Sequence, residues 1–83
     1  MRTMPVLHRE AGLTFRFYAS DGPEPPHVHV VGNGGRAKIW LVPRIEIVMV
    51  RSYDARQRNT IDRIAREHRD EWVDAWNEFF GRR

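Results

Sequence analysis

Apolar and polar side chains alternate along the first half of the chain. Between residues 13 and 19 the odd positions hold Leu, Phe, Phe and Ala, and the even positions hold Thr, Arg and Tyr. A period of two predicts a strand with one buried face. We predict further strands at residues 6–9, 27–31 and 36–42. The last two are joined by a hairpin at Gly32-Asn33-Gly34-Gly35, because Asn and Gly tolerate a positive φ.

A different period governs the last third of the chain. Apolar and aromatic residues recur there at steps of three and four, which predicts an amphipathic helix over residues 54–80. These positions are Ile61, Ile64, Ala65, His68, Trp72, Ala75, Trp76 and Phe79. Asp54 and Gln57 fit a capping box at the start of this helix, and Gly81 follows its end.

Together these elements predict a single α+β domain over residues 1–83. It consists of a small, mostly antiparallel sheet of three to five strands, at about residues 5–50, and one long C-terminal amphipathic helix packed on one face, at about residues 54–80. Residues 45–50 are apolar, and the pattern leaves open whether they form a further strand or an irregular segment.

The length of the predicted helix raises a packing problem. At ~1.5 Å per residue the helix is about 40 Å long, whereas strands of five to seven residues extend roughly 17–24 Å. One end should therefore overhang the sheet and leave large aromatic side chains in need of another surface. A homodimer through Trp72, Trp76, Phe79 and Phe80 is a hypothesis that follows.

Composition limits what can stabilise the fold and where the protein is expected to be located. The chain has no Cys and 41% apolar residues, and no apolar run approaches the ~20 residues that span a bilayer. Its stability must therefore come from a hydrophobic core or from self-association, not from disulfides. The first five residues lack the apolar stretch of a signal peptide. We expect a cytoplasmic protein without a membrane segment.

The excess of positive charge lies in the part of the sequence that is predicted to form the sheet. The formal charge is +3, and 13 of the 14 basic residues are Arg, a side chain suited to bidentate contacts with phosphate or carboxylate. Residues 1–60 hold nine basic and five acidic side chains, against five and six in residues 61–83. A partner such as RNA or another polyanion is therefore expected to bind at the sheet.

Two histidines stand out on a predicted strand. Because side chains two apart on a strand share a face, His27 and His29 point the same way. If the intervening valines pack against the helix, both imidazoles lie on the opposite face of the sheet. Five side chains share that face: Arg16, Tyr18, Arg36, Lys38 and Trp40. Such a face can hold phosphate, stack a base and move protons.

Other roles for the histidines are open. Two imidazoles on one strand are also half of a metal site, which needs at least a third ligand from Asp21, Glu24 or His68. Two histidines without Cys or a dense carboxylate cluster are thin support for a metal, so no metal cofactor is favoured. In a purely structural role, the histidines would hydrogen-bond the Pro-rich loop, and His68 would be a satisfied core residue.

The motif Glu24-Pro25-Pro26-His27-Val28-His29-Val30, followed by Ala37-Lys38-Ile39-Trp40-Leu41 and by Glu67-His68-Arg69 with Trp76, resembles a family of short bacterial proteins catalogued as Domain of Unknown Function 4160. The resemblance covers nearly the whole chain and implies no substrate. It implies a stand-alone protein of the kind suspected of belonging to toxin–antitoxin-like gene pairs. The family pattern carries over to His27, His29, Lys38 and His68. Residues 45–50 depart from it by being more apolar than expected.

The leading hypothesis is a nucleic-acid-directed component of a toxin–antitoxin-like pair. In an RNA-cleaving version His27 and His29 act as base and acid, while Lys38 and Arg16 hold phosphate. The alternatives are a non-catalytic module that binds a small co-encoded protein, and a His-based metal-binding domain. Catalysis shared by His27, His29 and Lys38 requires that their side chains converge on one point.

Overall fold

A computed structural model describes residues 6–81 as a five-stranded sheet with one long helix, which confirms the predicted α+β class. The strands are β1 (Val6–Glu10), β2 (Leu13–Arg16), β3 (His27–Gly32), β4 (Gly35–Trp40) and β5 (Glu46–Arg51), and the helix is α1 (Ala55–Phe80). A 3₁₀ turn at Ala19–Asp21 begins the connection from β2 to β3. The start of the predicted sheet half at residue 5 lies outside the described residues.

Every strand pairs antiparallel with its neighbour in sequence, in the order β1-β2-β3-β4-β5. The β3–β4 hairpin turns at Asn33 and Gly34, whose φ values of 51° and 81° are the positive values that the sequence predicts there. Residues 45–50, which the pattern left open, supply most of β5. The pairing of β5 with β4 is irregular beyond Lys38, and Met49 has a φ of 53° at this point.

The apolar residues of the sheet form one face against the helix. The buried cluster contains the side chains that alternation predicted for this face, and the helix contributes the apolar residues of its periodic stripe. From the strands and their extensions come Leu13, Phe15, Val28, Val30, Ala37, Ile39 and Leu41, and from the helix come Ile61, Ile64, Ala65 and Trp72. Burial of both stripes leaves the other face of the sheet open for polar side chains.

The helix begins at a capping box. Asp54 is the N-cap, and its carboxylate accepts a hydrogen bond of 2.8 Å from the Gln57 amide, while the Gln57 side chain accepts one of 2.9 Å from the Asp54 amide. The predicted capping box is therefore present.

No helix among the described residues is long and apolar enough to cross a membrane.

The aromatic side chains at the C-terminal end of the helix pack within the chain. Trp76 is buried, and the rings of Trp76, Phe79 and Phe80 lie 5.2–5.4 Å from the ring of Phe17. Gly22 lies against Phe80, and a Cβ at Gly22 would come within 2.9 Å of that ring. Trp72 is buried in the core. The packing argument for a homodimer is thereby weakened, and the oligomeric state itself stays a prediction.

Candidate functional site

The open face of the sheet carries a row of basic and titratable side chains. Arg16 of β2 is directly opposite His29 of β3, which is directly opposite Lys38 of β4. These three residues therefore share the face that the sequence predicts for them. Tyr18 lies at the end of this row, with its ring 4.8 Å from the His29 ring and 5.2 Å from the Arg16 guanidinium carbon.

His27 is placed differently from His29. It begins β3 and is fully buried, with its ring 5.2 Å from Trp40 of the sheet and 5.1 Å from Trp76 of the helix. His29 keeps 27% of its side chain exposed. The sequence predicts that both imidazoles lie on the open face, but the structure leaves only His29 in contact with solvent there, because the helix end covers His27.

The loop between β2 and β3 brings a carboxylate to the two imidazoles. The 3₁₀ turn folds Asp21 back so that its Oδ2 accepts a hydrogen bond of 2.9 Å from the Tyr18 amide. The same oxygen lies 3.0 Å from His29 Nε2 and 3.4 Å from His27 Nε2. The ligand atoms of Asp21, His27 and His29 all lie within 4.8 Å of one another, which is close enough to share one metal ion.

The other side of the His27 ring is held by backbone. Its Nδ1 donates a hydrogen bond of 2.9 Å to the carbonyl oxygen of Pro25. A carbonyl oxygen only accepts, so the proton on this nitrogen is fixed by the Pro-rich loop. Since His27 Nε2 has no hydrogen-bond partner in the described structure, this one nitrogen faces Asp21 without a bond.

Lys38 is held by a different carboxylate from the histidines. Its Nζ lies 2.8 Å from Glu24 Oε1 and 4.3 Å from the centre of the Trp40 ring. His27 and His29 thus converge on Asp21, whereas the Lys38 ammonium ends on Glu24. The hydrogen bond from Lys38 is the main cause that lowers the pKa of Glu24 below its usual value.

Burial favours the neutral form of the His29 imidazole. Loss of contact with water lowers the pKa of His29 below its usual value, and the nearby carboxylate of Asp21 opposes this shift only in part. The imidazole of His29 is therefore more often neutral than that of a free histidine at neutral pH, and a neutral ring can accept a proton or bind a metal.

A groove runs along the open face beside His29. Its wall includes Tyr18, His29, Arg36, Lys38, Met49 and Arg51. Arg36 of β4 is directly opposite Arg51 of β5, and neither guanidinium makes an ion pair or hydrogen bond with any of residues 6–81. The sequence pattern does not place Arg51 on this face, because it assigns no pairing to residues 45–50. A strand at these residues, paired with β4, places Arg51 opposite Arg36.

His68 is not part of this arrangement. Its ring lies 4.2 Å from the ring of His8 on the edge strand β1 and is stacked on Trp72 at 5.4 Å. His8, Glu10 and His68 form a second group of close metal-ligand atoms. Of the three third ligands that the sequence offers for a metal, only Asp21 joins His27 and His29 in such a group among the described residues.

A protein-family model matches most of the chain. The model described as Domain of unknown function (DUF4160) matches residues 12–77, a range that runs from the turn before β2 to the last turns of the helix and includes every residue of the groove and of the two-histidine group. No curated protein and no solved structure matches the chain.

Proposed function

Since the chain belongs to the DUF4160 family, whose description states no activity, we propose a function from the geometry of the open sheet face: this face binds single-stranded RNA, with phosphate held by Arg36 and Arg51 and a base stacked on Tyr18. The proposal keeps the nucleic-acid partner that the sequence predicts. It keeps Arg36 from the predicted face, adds Arg51, and assigns the phosphate to these two residues in place of Lys38 and Arg16.

The observation that carries the proposal is the pair formed by Arg36 and Arg51. Like charges directly opposite each other on neighbouring strands destabilise a sheet. Here both are exposed, and neither is neutralised by an acidic residue among residues 6–81. An anion bound between them would remove the repulsion and would accept bidentate hydrogen bonds from either guanidinium.

The surroundings of the pair favour a nucleic acid over a free anion. Tyr18 and His29 line the same groove, so flat rings lie next to the cationic side chains. Sheet surfaces that bind single strands combine a positive groove with aromatic rings on which bases stack. Arg16 adds a further positive charge over the Tyr18 ring.

The proposal is limited to binding. A general acid or base must reach the atom whose proton it moves, and His27 is fully buried. Cleavage by His27, His29 and Lys38 stays a prediction, which incubation of labelled RNA with the parent and with a His29→Gln variant tests on a denaturing gel. Membership of a toxin–antitoxin-like pair and a cytoplasmic location also stay predictions, and a pull-down with the product of a neighbouring gene tests the former.

Fluorescence anisotropy with a labelled single-stranded RNA of roughly 12 nucleotides tests the binding. We expect the logarithm of the association constant to fall linearly with the logarithm of salt concentration. Each phosphate that is no longer held reduces the slope by about 0.7 for a single strand, and since Arg36 and Arg51 hold one phosphate between them, Arg36→Gln/Arg51→Gln should reduce it by about 0.7. A duplex of the same sequence should bind more weakly, because its bases are not free to stack.

A matched control has the same change of charge elsewhere. Arg56 and Arg58 are exposed in the first turns of the helix and lie outside the groove, so Arg56→Gln/Arg58→Gln should leave the slope unchanged. An equal loss of slope in both double variants would mean that only net charge matters. That result, or no binding by the parent, would refute the proposed site.

A further inference from the structure

We propose that Asp21, His27 and His29 bind a divalent zinc-class metal ion through one carboxylate oxygen and two imidazole Nε2 atoms. This inference does not depend on RNA binding. It concerns a site that is lined by the loop between β2 and β3 and shares only His29 with the groove.

The first argument is the unpartnered nitrogen of His27. Three buried side-chain nitrogens lack a hydrogen-bond partner in the described structure: Arg16 Nε, His27 Nε2 and Trp72 Nε1. The nitrogens of Arg16 and Trp72 carry hydrogen and cannot bind a metal. Because the Pro25 carbonyl accepts from Nδ1, the tautomer that this hydrogen bond favours presents a lone pair on Nε2.

The second argument is what that lone pair faces. Asp21 Oδ2 lies 3.4 Å from His27 Nε2, so a carboxylate oxygen faces the buried nitrogen that lacks a hydrogen-bond partner. A buried polar nitrogen without a partner is costly, and a cation between His27 Nε2 and the Asp21 carboxylate removes the cost. The backbone carbonyl on Nδ1 is also the kind of partner that metal-binding histidines use to fix ring orientation.

The third argument is distance. In a tetrahedral zinc site with bonds of 2.0–2.1 Å, neighbouring ligand atoms are about 3.3 Å apart. The carboxylate oxygen of Asp21 lies 3.4 Å from one imidazole nitrogen and 3.0 Å from the other. Both distances are within a few tenths of an ångström of that spacing, and the two imidazole nitrogens lie within 4.8 Å of each other. His29, which donates to Asp21 through Nε2, would carry its proton on Nδ1 instead.

The second group of ligand atoms serves as an internal comparison. There His8 Nε2 lies 2.8 Å from Glu10 Oε1, and His68 Nδ1 lies 3.1 Å from Glu71 Oε1, so both imidazoles already have partners. Arg63 lies 3.4 Å from the other oxygen of Glu10 and adds positive charge beside any bound cation. This group has no buried, unpartnered lone pair, and we assign the metal to the first group.

Two donor types decide the class of metal. Imidazole nitrogen together with one carboxylate suits Zn²⁺ and related first-row ions, whereas Mg²⁺ and Ca²⁺ prefer oxygen ligands. Three protein ligands leave a fourth position for water or another ligand. His29 and Asp21 keep 27% and 14% of their side chains exposed, so the ion has a path from solvent.

Titration calorimetry of the untagged, chelator-treated protein with ZnCl₂ tests the assignment. We expect one Zn²⁺ per chain, and binding at least tenfold weaker in His29→Gln and Asp21→Asn. His68→Gln, which removes a ligand of the other group, should bind Zn²⁺ as the parent does. Because His27 is fully buried, His27→Gln is informative only if it unfolds cooperatively, and the His29 and Asp21 variants keep the test valid without it.

Three results would overturn the proposal. The first is the absence of Zn²⁺ uptake by the parent. Zn²⁺ binding within twofold of the parent in His29→Gln would exclude the site. A tenfold loss in His68→Gln alone would assign the ion to the group at β1. Failure here leaves the RNA experiment unaffected, since the two measure different ligands.

Discussion

The repulsion between Arg36 and Arg51 can be measured without any ligand. Side chains of a directly opposite strand pair bring their charges to roughly 6 Å, at which two unit charges in water repel by about 0.7 kcal/mol. Screening leaves about 0.6 kcal/mol at 0.01 M salt and about 0.1 kcal/mol at 1 M salt. The exposed guanidinium groups justify the dielectric constant of water.

A double-mutant cycle of Arg36→Gln and Arg51→Gln isolates this term. Each single substitution relieves the repulsion, whereas the double substitution relieves it only once. The two single gains in the free energy of unfolding should therefore sum to about 0.6 kcal/mol more than the gain of the double variant at 0.01 M salt. Urea unfolding followed by circular dichroism measures all four proteins.

Salt separates the charge effect from strand propensity. Propensity differences between Arg and Gln persist in 1 M salt, whereas the coupling should fall to about 0.1 kcal/mol. The same substitutions should weaken RNA binding, so stability and binding would move in opposite directions. A coupling of zero at low salt, or one that salt leaves unchanged, would refute the view that these two charges are kept in opposition for a ligand.

Three further predictions concern the scaffold. Asp54→Ala removes the acceptor that caps the helix and should lower the free energy of unfolding in urea by about 1 kcal/mol. Gly35→Ala should lower it by about 1–3 kcal/mol, because the new Cβ would lie 2.5 Å from the Arg51 carbonyl oxygen and 2.7 Å from the Tyr53 ring. Tyr53→Phe should cost about 1 kcal/mol at neutral pH, since the hydroxyl donates a 2.9 Å hydrogen bond to Gly32. Burial raises the pKa of Tyr53 above 10.0, so the folded parent holds this proton more tightly than the unfolded chain; its stability should fall as pH rises past that value, and Tyr53→Phe should lack this component. Unchanged stability in any of these variants, or an unchanged alkaline decline in Tyr53→Phe, would contradict the corresponding contact.

Much of the fold follows from periodicity. Alternation assigned Leu13, Phe15, Val28 and Val30 to the helix-facing side, and all four are buried. The helix and its cap could be predicted because spacing and capping are properties of nearby residues. The strand β5 could not be predicted in this way, since Ile47, Val48 and Val50 are all half-buried and the irregular pairing near Met49 interrupts the alternation.

The site was predictable only in part. The pairing of His27 and His29 follows from strand geometry, but the burial of His27 depends on where Trp76 of the helix lies against the sheet, which periodicity alone does not fix. Asp21 was one of three candidate third ligands, and the 3₁₀ turn that selects it has no clear signal in the sequence. From the sequence alone, the aromatic residues at the helix end suggest a homodimer. In the structure they pack on Phe17, and periodicity cannot show this contact because it joins residues far apart in the chain.

The order of the strands has a consequence for how quickly the molecule forms. Each strand pairs with the strand before it, so the sheet can grow by successive hairpins, each of which closes a short loop. Chains rich in such local contacts reach the native state faster than those that must join distant segments. Asp21, His27 and His29 lie within nine residues of one another along the chain, so the group can assemble with the β2–β3 hairpin. Only the cover over His27 has to wait until the helix docks on the sheet.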